Sequence, residues 1–283
     1  VRAMTSSSSP GISLKQEGLS FLAALELPAV IVNINRGGPG LGNIAPSQGD
    51  YYQATRGGGH GDYRMPVYAP ASVQELYDIT MRAFDVADLY RTPVMILGDG
   101  MMGQIMEPIY VRERPDVEIP PKDYILDGAE GRPSRIVKSL ILDPSEMEEH
   151  NWKLKRKYDL MAHDLPQWEE FMTDDAKLTI IAYGTAARIA KGAVKRARSD
   201  GLKVGLLRPI TLWPFPDEAI RSVAKKTKLF LVFEMSTGQM VDDVRLAVEG
   251  KVPCEFYGRP GGVVPIPQEI ARIIERYWLQ KEL

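Results

Sequence analysis

Arg36 has both the type and the position of a ligand-binding residue. It follows the apolar run PAVIVNI (28–34) and lies at the start of the irregular segment NRGGPGLGNIAPSQGD (35–50). A guanidinium fixed at the end of a buried strand can hold a carboxylate through two parallel hydrogen bonds. The glycines that follow would let the backbone approach a ligand or a neighbouring subunit closely. A solvated arginine in a flexible loop is the alternative, and the residues alone leave both open.

A run of serines, SSSSPG (6–11), precedes a helical pattern of apolar residues. Hydroxyl groups and the free N–H groups of a helix N-terminus can together bind an anion. The same serines can also serve only to cap the helix, which is an ordinary role of serine at this position. The run is therefore a second candidate site with a structural alternative.

The segment RGGGHGDYR (56–64) contains a histidine and an aspartate among glycines. His60 could transfer protons or donate a hydrogen bond. As a metal site, His60 and Asp62 are weak candidates because no second His or Cys lies at ligand spacing. His150 and His163 lie in polar stretches, and we assign them no role. No metal site is therefore predicted in this chain.

Two acidic residues lie at the ends of apolar runs. Asp99 lies between glycines in TPVMILGDG (92–100), where a turn-forming role is favoured over a ligand role. Glu234 lies in FEMSTGQM (233–240), which is typical of a capped turn between a strand and a helix. No G-x-S-x-G nucleophile motif is present. The glycines after Arg36 do not match a phosphate-binding loop, because the residues after them do not read as a helix.

Alternating strands and helices would bring these residues to one edge of a sheet. In residues 1–110, short continuous apolar runs alternate with helical patterns, as in α/β proteins whose strands are covered on both faces. Parallel sheets of this kind bind ligands beyond the carboxyl ends of their strands. The predicted strands are VRAM (1–4), 28–34, 65–72 and 92–100, and the predicted helices cover about 12–26 and 73–90.

Residues 111–150 are rich in proline and charge, and we interpret them as a connector across the surface. A polar helix is expected at about 151–171. We therefore predict two parallel-sheet α/β domains, 1–110 and 173–283, separated by the connector 111–172. In the second domain the expected strands are LTIIAYG, KVGLLRP, KLFLVFE and VPCEFYG, and the expected helices cover 186–200, 216–226, 238–249 and 267–281.

The overall composition argues against several classes of protein. The chain has 283 residues, of which 44% are apolar and 25% charged, and its formal net charge is −2, so nothing indicates a nucleic-acid partner. No apolar run approaches the roughly 20 residues of a membrane span, and we expect a cytoplasmic protein. The single cysteine, Cys254, cannot alone form an internal disulfide or hold a zinc ion or an iron–sulfur cluster. Val1 is not an initiator Met, and we expect further residues before it.

Several motifs together resemble one enzyme family. The motifs are TSSSSPGISLKQEGLSF, PAVIVNINRGGPGLGN, RTPVMILGDG, LRPITLWPFP and VFEMSTGQMVDDVRLAVEG. They resemble the alpha subunits of 2-oxoacid:ferredoxin oxidoreductases, in order and over essentially all 283 residues. The string TSSSSPGISLKQEG is most similar to the branched-chain type, which acts on 3-methyl-2-oxobutanoate (2-oxoisovalerate).

The resemblance implies a fold, a cofactor and partners. The first domain would be the pyrimidine-binding domain of a transketolase-like thiamine enzyme, and the second a transketolase C-terminal-like domain. Thiamine diphosphate would lie between this subunit and a beta subunit that holds the diphosphate and Mg²⁺. A branched-chain 2-oxoacid and CoA would give an acyl-CoA, with ferredoxin as electron acceptor. Gamma and ferredoxin-like delta subunits would complete a dimer of hetero-oligomers, with the iron–sulfur clusters in other subunits than this one.

The resemblance also implies roles for individual residues. Arg36 would reach the substrate carboxylate, while Ser8, Ser9 and Gly11 would lie near the reactive region of the cofactor. The glutamate that pairs with the aminopyrimidine ring would lie upstream of Val1, so the catalytic residue is unknown from this sequence. A 2-oxoglutarate or pyruvate version of the enzyme, and a non-catalytic assembly subunit, are the alternatives.

Overall fold

The computed structural model describes residues 1–113 and 117–283 and contains two α/β units. Each unit has a sheet with helices on both faces, so the predicted α/β fold is confirmed. The first elements are β1 (Met4–Ser7), α1 (Pro10–Ala24), β2 (Ala29–Asn35), α2 (Tyr51–Arg56), β3 (Val67–Tyr68), α3 (Val73–Tyr90), β4 (Pro93–Asp99) and α4 (Pro144–Asp164). The later elements are β5 (Trp168–Phe171), β6 (Leu178–Ile181), α5 (Gly184–Ser199), β7 (Val204–Pro209), β8 (Thr211–Trp213), α6 (Asp217–Ala224), β9 (Leu229–Glu234), α7 (Met240–Val248), β10 (Cys254–Gly258) and α8 (Pro267–Gln280).

Among the described residues, each unit is built around a sheet of five strands. The N-terminal sheet has the order β1-β2-β4-β3-β8, in which β1 to β4 are parallel and β8 is antiparallel to β3. The C-terminal sheet has the order β10-β9-β6-β7-β5, in which β5 is antiparallel to β7. Strand β8 belongs to the N-terminal sheet although it lies within 173–283. Each sheet therefore has one antiparallel strand at its edge. The division of the chain into domains at residues 110 and 172 stays a prediction.

The helix before the second sheet differs from the sequence prediction. We predict it at about 151–171, whereas α4 both begins and ends earlier. It begins earlier because the Asp143 carboxylate caps it, accepting hydrogen bonds from two first-turn N–H groups at 2.8 and 3.1 Å. It ends earlier because Pro166 lacks the N–H that a further turn would need. The residues that follow pair with β7 as β5.

The first strand is also displaced from its predicted position. The sequence predicts it at residues 1–4, whereas β1 pairs with β2 from Met4 to Ser7, so two of the serines belong to the strand. The short helix α2 and the strand β8 have no counterpart in the prediction. Elements of three to six residues leave too little periodicity to be recognised in a sequence.

A continuous core between the two sheets holds the halves together. Ile31 and Met95 of the N-terminal sheet belong to the same packed cluster as Leu207, Phe230 and Val232 of the C-terminal sheet. Helices α1, α6 and α7 add to this cluster. The opposite faces are covered by α3 and α4 on one sheet and by α5 and α8 on the other. This double cover explains why the central strands are almost wholly apolar.

Arg208 forms a buried ion pair across the two halves. The residue is 4% exposed. Its guanidinium donates two hydrogen bonds to Glu75 of α3, at 2.7 and 2.9 Å, and one to Glu169 of β5 at 2.9 Å. A buried charge is tolerated only when it is paired, so the guanidinium of Arg208 depends on these two carboxylates. Glu169 also pairs with Lys191.

Replacing Arg208 by methionine should lower the free energy of unfolding by about 2 kcal/mol, because Glu75 would lose its two hydrogen bonds from Arg208 and Glu169 would keep only Lys191. Lys251→Met is the matched control. Lys251 pairs with Glu249 at the surface with its side chain 67% exposed, so its replacement should cost less than about 0.5 kcal/mol. Urea unfolding followed by circular dichroism measures both variants. An equal loss of unfolding free energy in the two variants would show that the ion pairs of Arg208 stabilise the protein no more than a surface ion pair does.

Candidate functional site

The carboxyl ends of β1 and β2 bring two predicted ligand-binding segments together. The strands are parallel neighbours, with Ser7 paired to Asn33, so the serine run and Arg36 leave the sheet at the same edge. The Nε of Arg36 donates a hydrogen bond to the Oγ of Ser9 at 3.0 Å. Two candidates that the sequence singles out separately are therefore in direct contact.

Ser9 occupies the N-cap position of α1 without capping the helix. Among the described residues, its hydroxyl accepts no hydrogen bond from the first turn. The capping alternative is therefore wrong for Ser9. Its backbone has φ 49° and ψ −124°, a conformation that costs a non-glycine residue about 1–3 kcal/mol. Strain of this kind is concentrated at binding and catalytic sites.

Gly11 allows a tight turn between β1 and α1. A Cβ atom at this position would lie 2.2 Å from the Oγ of Ser7, so a side chain would displace that hydroxyl. The N–H of Gly11 donates to the Ser8 carbonyl at 3.0 Å, which closes the turn. Ser8, Ser9 and Gly11 are half-buried and lie within this one turn.

The guanidinium of Arg36 has hydrogen-bond donors to spare. Arg36 is half-buried, and its Nε is engaged with Ser9. In residues 1–113 and 117–283, nothing accepts a hydrogen bond from its two Nη nitrogens, and no carboxylate pairs with it. Two parallel N–H groups match the two oxygens of a carboxylate, so the free end of Arg36 is suited to that anion.

The segment after Arg36 is a closed loop. Arg36 forms an isolated antiparallel bridge with Pro46. Within this bridge, the Gly37 N–H donates to the Ala45 carbonyl, and the Asn43 N–H donates to the Gly37 carbonyl, both at 2.9 Å. These bonds argue against the flexible-loop alternative and hold Arg36 at the base of the loop.

Gly42 makes the closure possible. Its φ is 56°, and a Cβ atom here would lie 1.7 Å from the carbonyl oxygen of Gly37. At the tip, Leu41 and Ile44 are 79% and 78% exposed. The loop thus presents two apolar side chains outward while its base stays fixed.

Gln48 attaches the end of the loop to the C-terminal half. Its Nε2 donates to the Tyr183 carbonyl, and its Oε1 accepts from the Met235 N–H, both at 2.9 Å. Its backbone N–H donates to the Met235 carbonyl at 2.9 Å, and its own carbonyl accepts the Tyr183 hydroxyl at 3.3 Å. Tyr183 and Met235 follow β6 and β9 of the C-terminal sheet, whereas the loop begins at the end of β2 in the N-terminal sheet, so the loop connects the carboxyl ends of the two sheets. Gln48 is not among the residues predicted from the sequence, because a glutamine among small polar residues gives no distinctive signal.

Two asparagines in β2 form a buried polar layer next to Arg36. Asn33 donates to the Asp50 carboxylate at 3.0 Å. Asn35 is 1% exposed, and no described residue bonds to either polar atom of its side chain. Its register partner, Asp99, is buried too. Asparagine at alternate positions of an apolar run is a signal that the sequence contains and that our prediction overlooked.

The two acidic residues at strand ends have structural roles. Asp99 accepts hydrogen bonds from the N–H groups of Met101 and Met102 at 3.0 and 3.1 Å, which makes it a turn former. Glu234 accepts the Ser236 hydroxyl and three N–H groups at the start of α7, all near 3.0 Å. Burial raises the pKa of both carboxyl groups, and these hydrogen bonds oppose the rise. The capped turn expected at Glu234 is thus present.

The histidines lie in surface or structural positions. His60 is exposed, the ring of His150 contacts the Ala24 carbonyl at 3.0 Å, and His163 contacts the aspartate that follows it. The part of the chain that the structure describes contains no group of three or more His, Cys, Asp or Glu that could hold a metal ion. It also contains no helix with the length and apolar character needed to span a membrane.

Two family models match the chain. The model described as pyruvate flavodoxin/ferredoxin oxidoreductase, thiamine diphosphate-binding, matches residues 1–163, and the model described as pyruvate:ferredoxin oxidoreductase core domain II matches residues 176–270. The chain belongs to the pyruvate flavodoxin/ferredoxin oxidoreductase family. The predicted membership in the 2-oxoacid:ferredoxin oxidoreductases, and with it the oxidoreductase class, is confirmed.

Relatives in this family are named for different 2-oxoacids. Ketoisovalerate oxidoreductase subunit VorB of Methanothermobacter marburgensis is 50% identical over 273 residues, which cover 96% of this chain and 77% of that protein. 2-Oxoglutarate synthase subunit KorA of Methanothermobacter thermautotrophicus is 37% identical over 301 residues, covering 97% of this chain and 80% of that protein. Both are named as subunits, so these relatives belong to enzymes of more than one chain.

Solved structures support the fold of this family member. The chain is similar to the 2-oxoglutarate:ferredoxin oxidoreductase of Magnetococcus marinus, solved with 2-oxoglutarate, coenzyme A and succinyl-CoA bound, with a TM-score of 0.81 and 26% identity. The match covers 96% of this chain and 52% of the Magnetococcus marinus chain, so this chain spans about half the length of that relative. A split-gene transketolase, 13% identical with a TM-score of 0.56, shares the fold alone. The predicted transketolase-like fold is confirmed.

Gly42→Ala should open the loop, because the added methyl group would overlap the Gly37 carbonyl oxygen. Gly40→Ala is the matched control, since Gly40 has a φ of 67° but open space around its Cβ position. Hydrogen exchange followed by mass spectrometry should show exchange over residues 37–46 that is at least about tenfold faster in Gly42→Ala than in Gly40→Ala. Equal exchange in the two variants would contradict the importance of this close approach.

Proposed function

We propose that this chain is the alpha subunit of a thiamine-diphosphate-dependent 2-oxoacid:ferredoxin oxidoreductase. The reaction is the oxidative decarboxylation of a branched-chain 2-oxoacid to an acyl-CoA, with CoA as cosubstrate and ferredoxin as electron acceptor. The observation that carries the proposal is the half-buried guanidinium of Arg36, held by Ser9 at the carboxyl ends of β1 and β2, with neither Nη nitrogen bonded to any described residue. The 50% identity to a ketoisovalerate oxidoreductase subunit supports the branched-chain substrate.

In this proposal Arg36 binds the carboxylate of the 2-oxoacid. A charge-assisted bidentate pair fixes the orientation of the substrate as well as its position. The carboxylate stays on the substrate until it leaves as carbon dioxide, so Arg36 contacts it in the bound substrate and still contacts it as decarboxylation begins. Arg36 therefore contributes to substrate binding more than to the chemical step.

The residues around Arg36 are suited to the reactive region of thiamine diphosphate. Thiamine diphosphate, when bound, supplies the nucleophilic carbon and the electron sink that decarboxylation of a 2-oxoacid requires. Ser8 and Ser9 offer hydroxyl groups, and the tight turn at Gly11 lets the backbone approach the reactive region of the cofactor. The described residues supply no cluster of metal ligands, and we propose that a beta subunit holds Mg²⁺ and the diphosphate.

The partners follow from the same proposal. A beta subunit covers the candidate site, and gamma and ferredoxin-like delta subunits complete a dimer of hetero-oligomers in the cytoplasm. The iron–sulfur clusters are carried by subunits other than this one. The exposed loop tip supports an adjoining subunit, because Leu41 and Ile44 would be removed from water by it.

Arg36→Ala in the assembled complex should cost about 2–4 kcal/mol of transition-state stabilisation for 2-oxoisovalerate, measured as a fall in kcat/KM that comes mainly from a higher KM. Arg272→Ala, which removes an exposed arginine of α8, is the control and should leave both constants unchanged. Steady-state kinetics with a viologen acceptor measures both variants. An unchanged KM in Arg36→Ala would contradict the proposed carboxylate contact.

The identity of the substrate requires a separate assay. A 2-oxoglutarate enzyme is the second candidate, because KorA is 37% identical over 97% of this chain. We expect the purified complex to have its highest kcat/KM on 2-oxoisovalerate, by about tenfold or more over 2-oxoglutarate and pyruvate. A preference for either of the other two acids would overturn the branched-chain assignment. Turnover of none of the three by a complex that binds thiamine diphosphate would favour an assembly role.

A further inference from the structure

Ser9 and Ser72 occupy the same helical position but bond differently. Ser72 is the N-cap of α3, and its Oγ accepts a hydrogen bond from the Glu75 N–H at 3.1 Å, which is the ordinary capping contact. Ser9 is the N-cap of α1, and its Oγ instead accepts the Nε–H of Arg36 at 3.0 Å. The hydroxyl of Ser9 is therefore directed to a side chain from another strand end rather than to its own helix.

This hydrogen bond restricts how Arg36 can bind an anion. An arginine can bind a carboxylate in two bidentate modes. The side-on mode uses Nε and one Nη nitrogen, and the end-on mode uses both Nη nitrogens. Because the Nε–H of Arg36 is committed to Ser9, the end-on mode remains. The position of the carboxylate is then fixed on the axis of the guanidinium group.

A serine is suited to this task because it is neutral. A carboxylate in the same place would hold Arg36 equally well but would neutralise its charge and compete with an anionic ligand. Among the described residues no carboxylate pairs with Arg36. The contact with Ser9 therefore orients the guanidinium and leaves its full charge available.

The backbone at Ser9 provides independent support. With φ 49° and ψ −124°, this position suits glycine, which would adopt it without strain. The group that serine adds is the hydroxyl, and that hydroxyl contacts Arg36. Pro10 at the first helical position and the pairing of β1 with β2 hold the strained residue in place.

We propose that Ser9 is a positioning residue, which acts through Arg36 to impose end-on binding of the 2-oxoacid carboxylate. This inference rests on the carboxylate-binding role that we propose for Arg36. It assigns to Ser9 no contact with the reacting atoms.

The test is a double-mutant cycle in the assembled complex, with 2-oxoisovalerate as substrate and KM and kcat as readouts. Ser9→Ala should raise KM about tenfold, the effect of losing one charge-assisted hydrogen bond, with little change in kcat. In the Arg36→Ala background, Ser9→Ala should have no further effect, because the residue through which it acts is gone. Ser72→Ala is the matched control and should lower thermal stability while leaving KM unchanged.

Ser9→Gly separates positioning from folding. It should raise KM as much as Ser9→Ala does, yet unfold at a higher temperature than Ser9→Ala, because glycine relieves the backbone strain. An unchanged KM in both Ser9 variants, or the same KM increase with and without Arg36, would overturn the inference while leaving the role of Arg36 intact. An unchanged KM in Arg36→Ala would instead overturn the proposed function of Arg36, and the inference with it.

Discussion

The arrangement of the candidate site depends on the hydrogen bonds of Gln48. Both backbone groups and both side-chain groups of this buried residue bond to the carboxyl ends of β6 and β9. Leaving a buried polar group without a partner costs about 1–3 kcal/mol, so these four bonds strongly favour a single placement of the loop. The loop starts at Arg36 in one sheet and ends at Gln48 against the other. A group bound by Arg36 is thereby placed with respect to both units.

Irregular segments around the site are held by local bonds instead of regular structure. The loop after Arg36 closes on itself through backbone hydrogen bonds, and Asn43 also donates from its side chain to the Gly261 carbonyl at 2.9 Å. The turn after β1 closes in the same manner at Gly11. Because these backbone groups are satisfied internally, the loop and the turn can be rigid without being helices or strands. Rigid loops on a sheet edge are what a binding site needs for precise orientation.

Much of the fold and one part of the site were readable from the sequence. Strands covered on both faces give continuous apolar runs, so β2, β4, β7 and β9 were placed nearly correctly. Arg36 can be selected as a candidate because its position after a buried run is a local feature, and its role stays a prediction. Gln48 and Asn35 were not found, because their roles depend on contacts with distant parts of the chain. The capping role was wrong for Ser9 because a hydroxyl can bond to its own helix or to Arg36, and only tertiary structure decides between them.

The late position of β8 in the sequence has a consequence for how the chain folds during synthesis. Without β8, the N-terminal sheet would end at β3, whose two residues have their outer edge covered by Thr211–Trp213. When β1 to β4 have emerged from the ribosome, β8, which covers the free edge of β3, has not yet emerged. Until then the unpaired edge can pair with other chains. The edge of the first unit can therefore be covered only after the chain has emerged as far as Trp213. The same dependence makes the region between the two units a poor place to divide the polypeptide into separate genes.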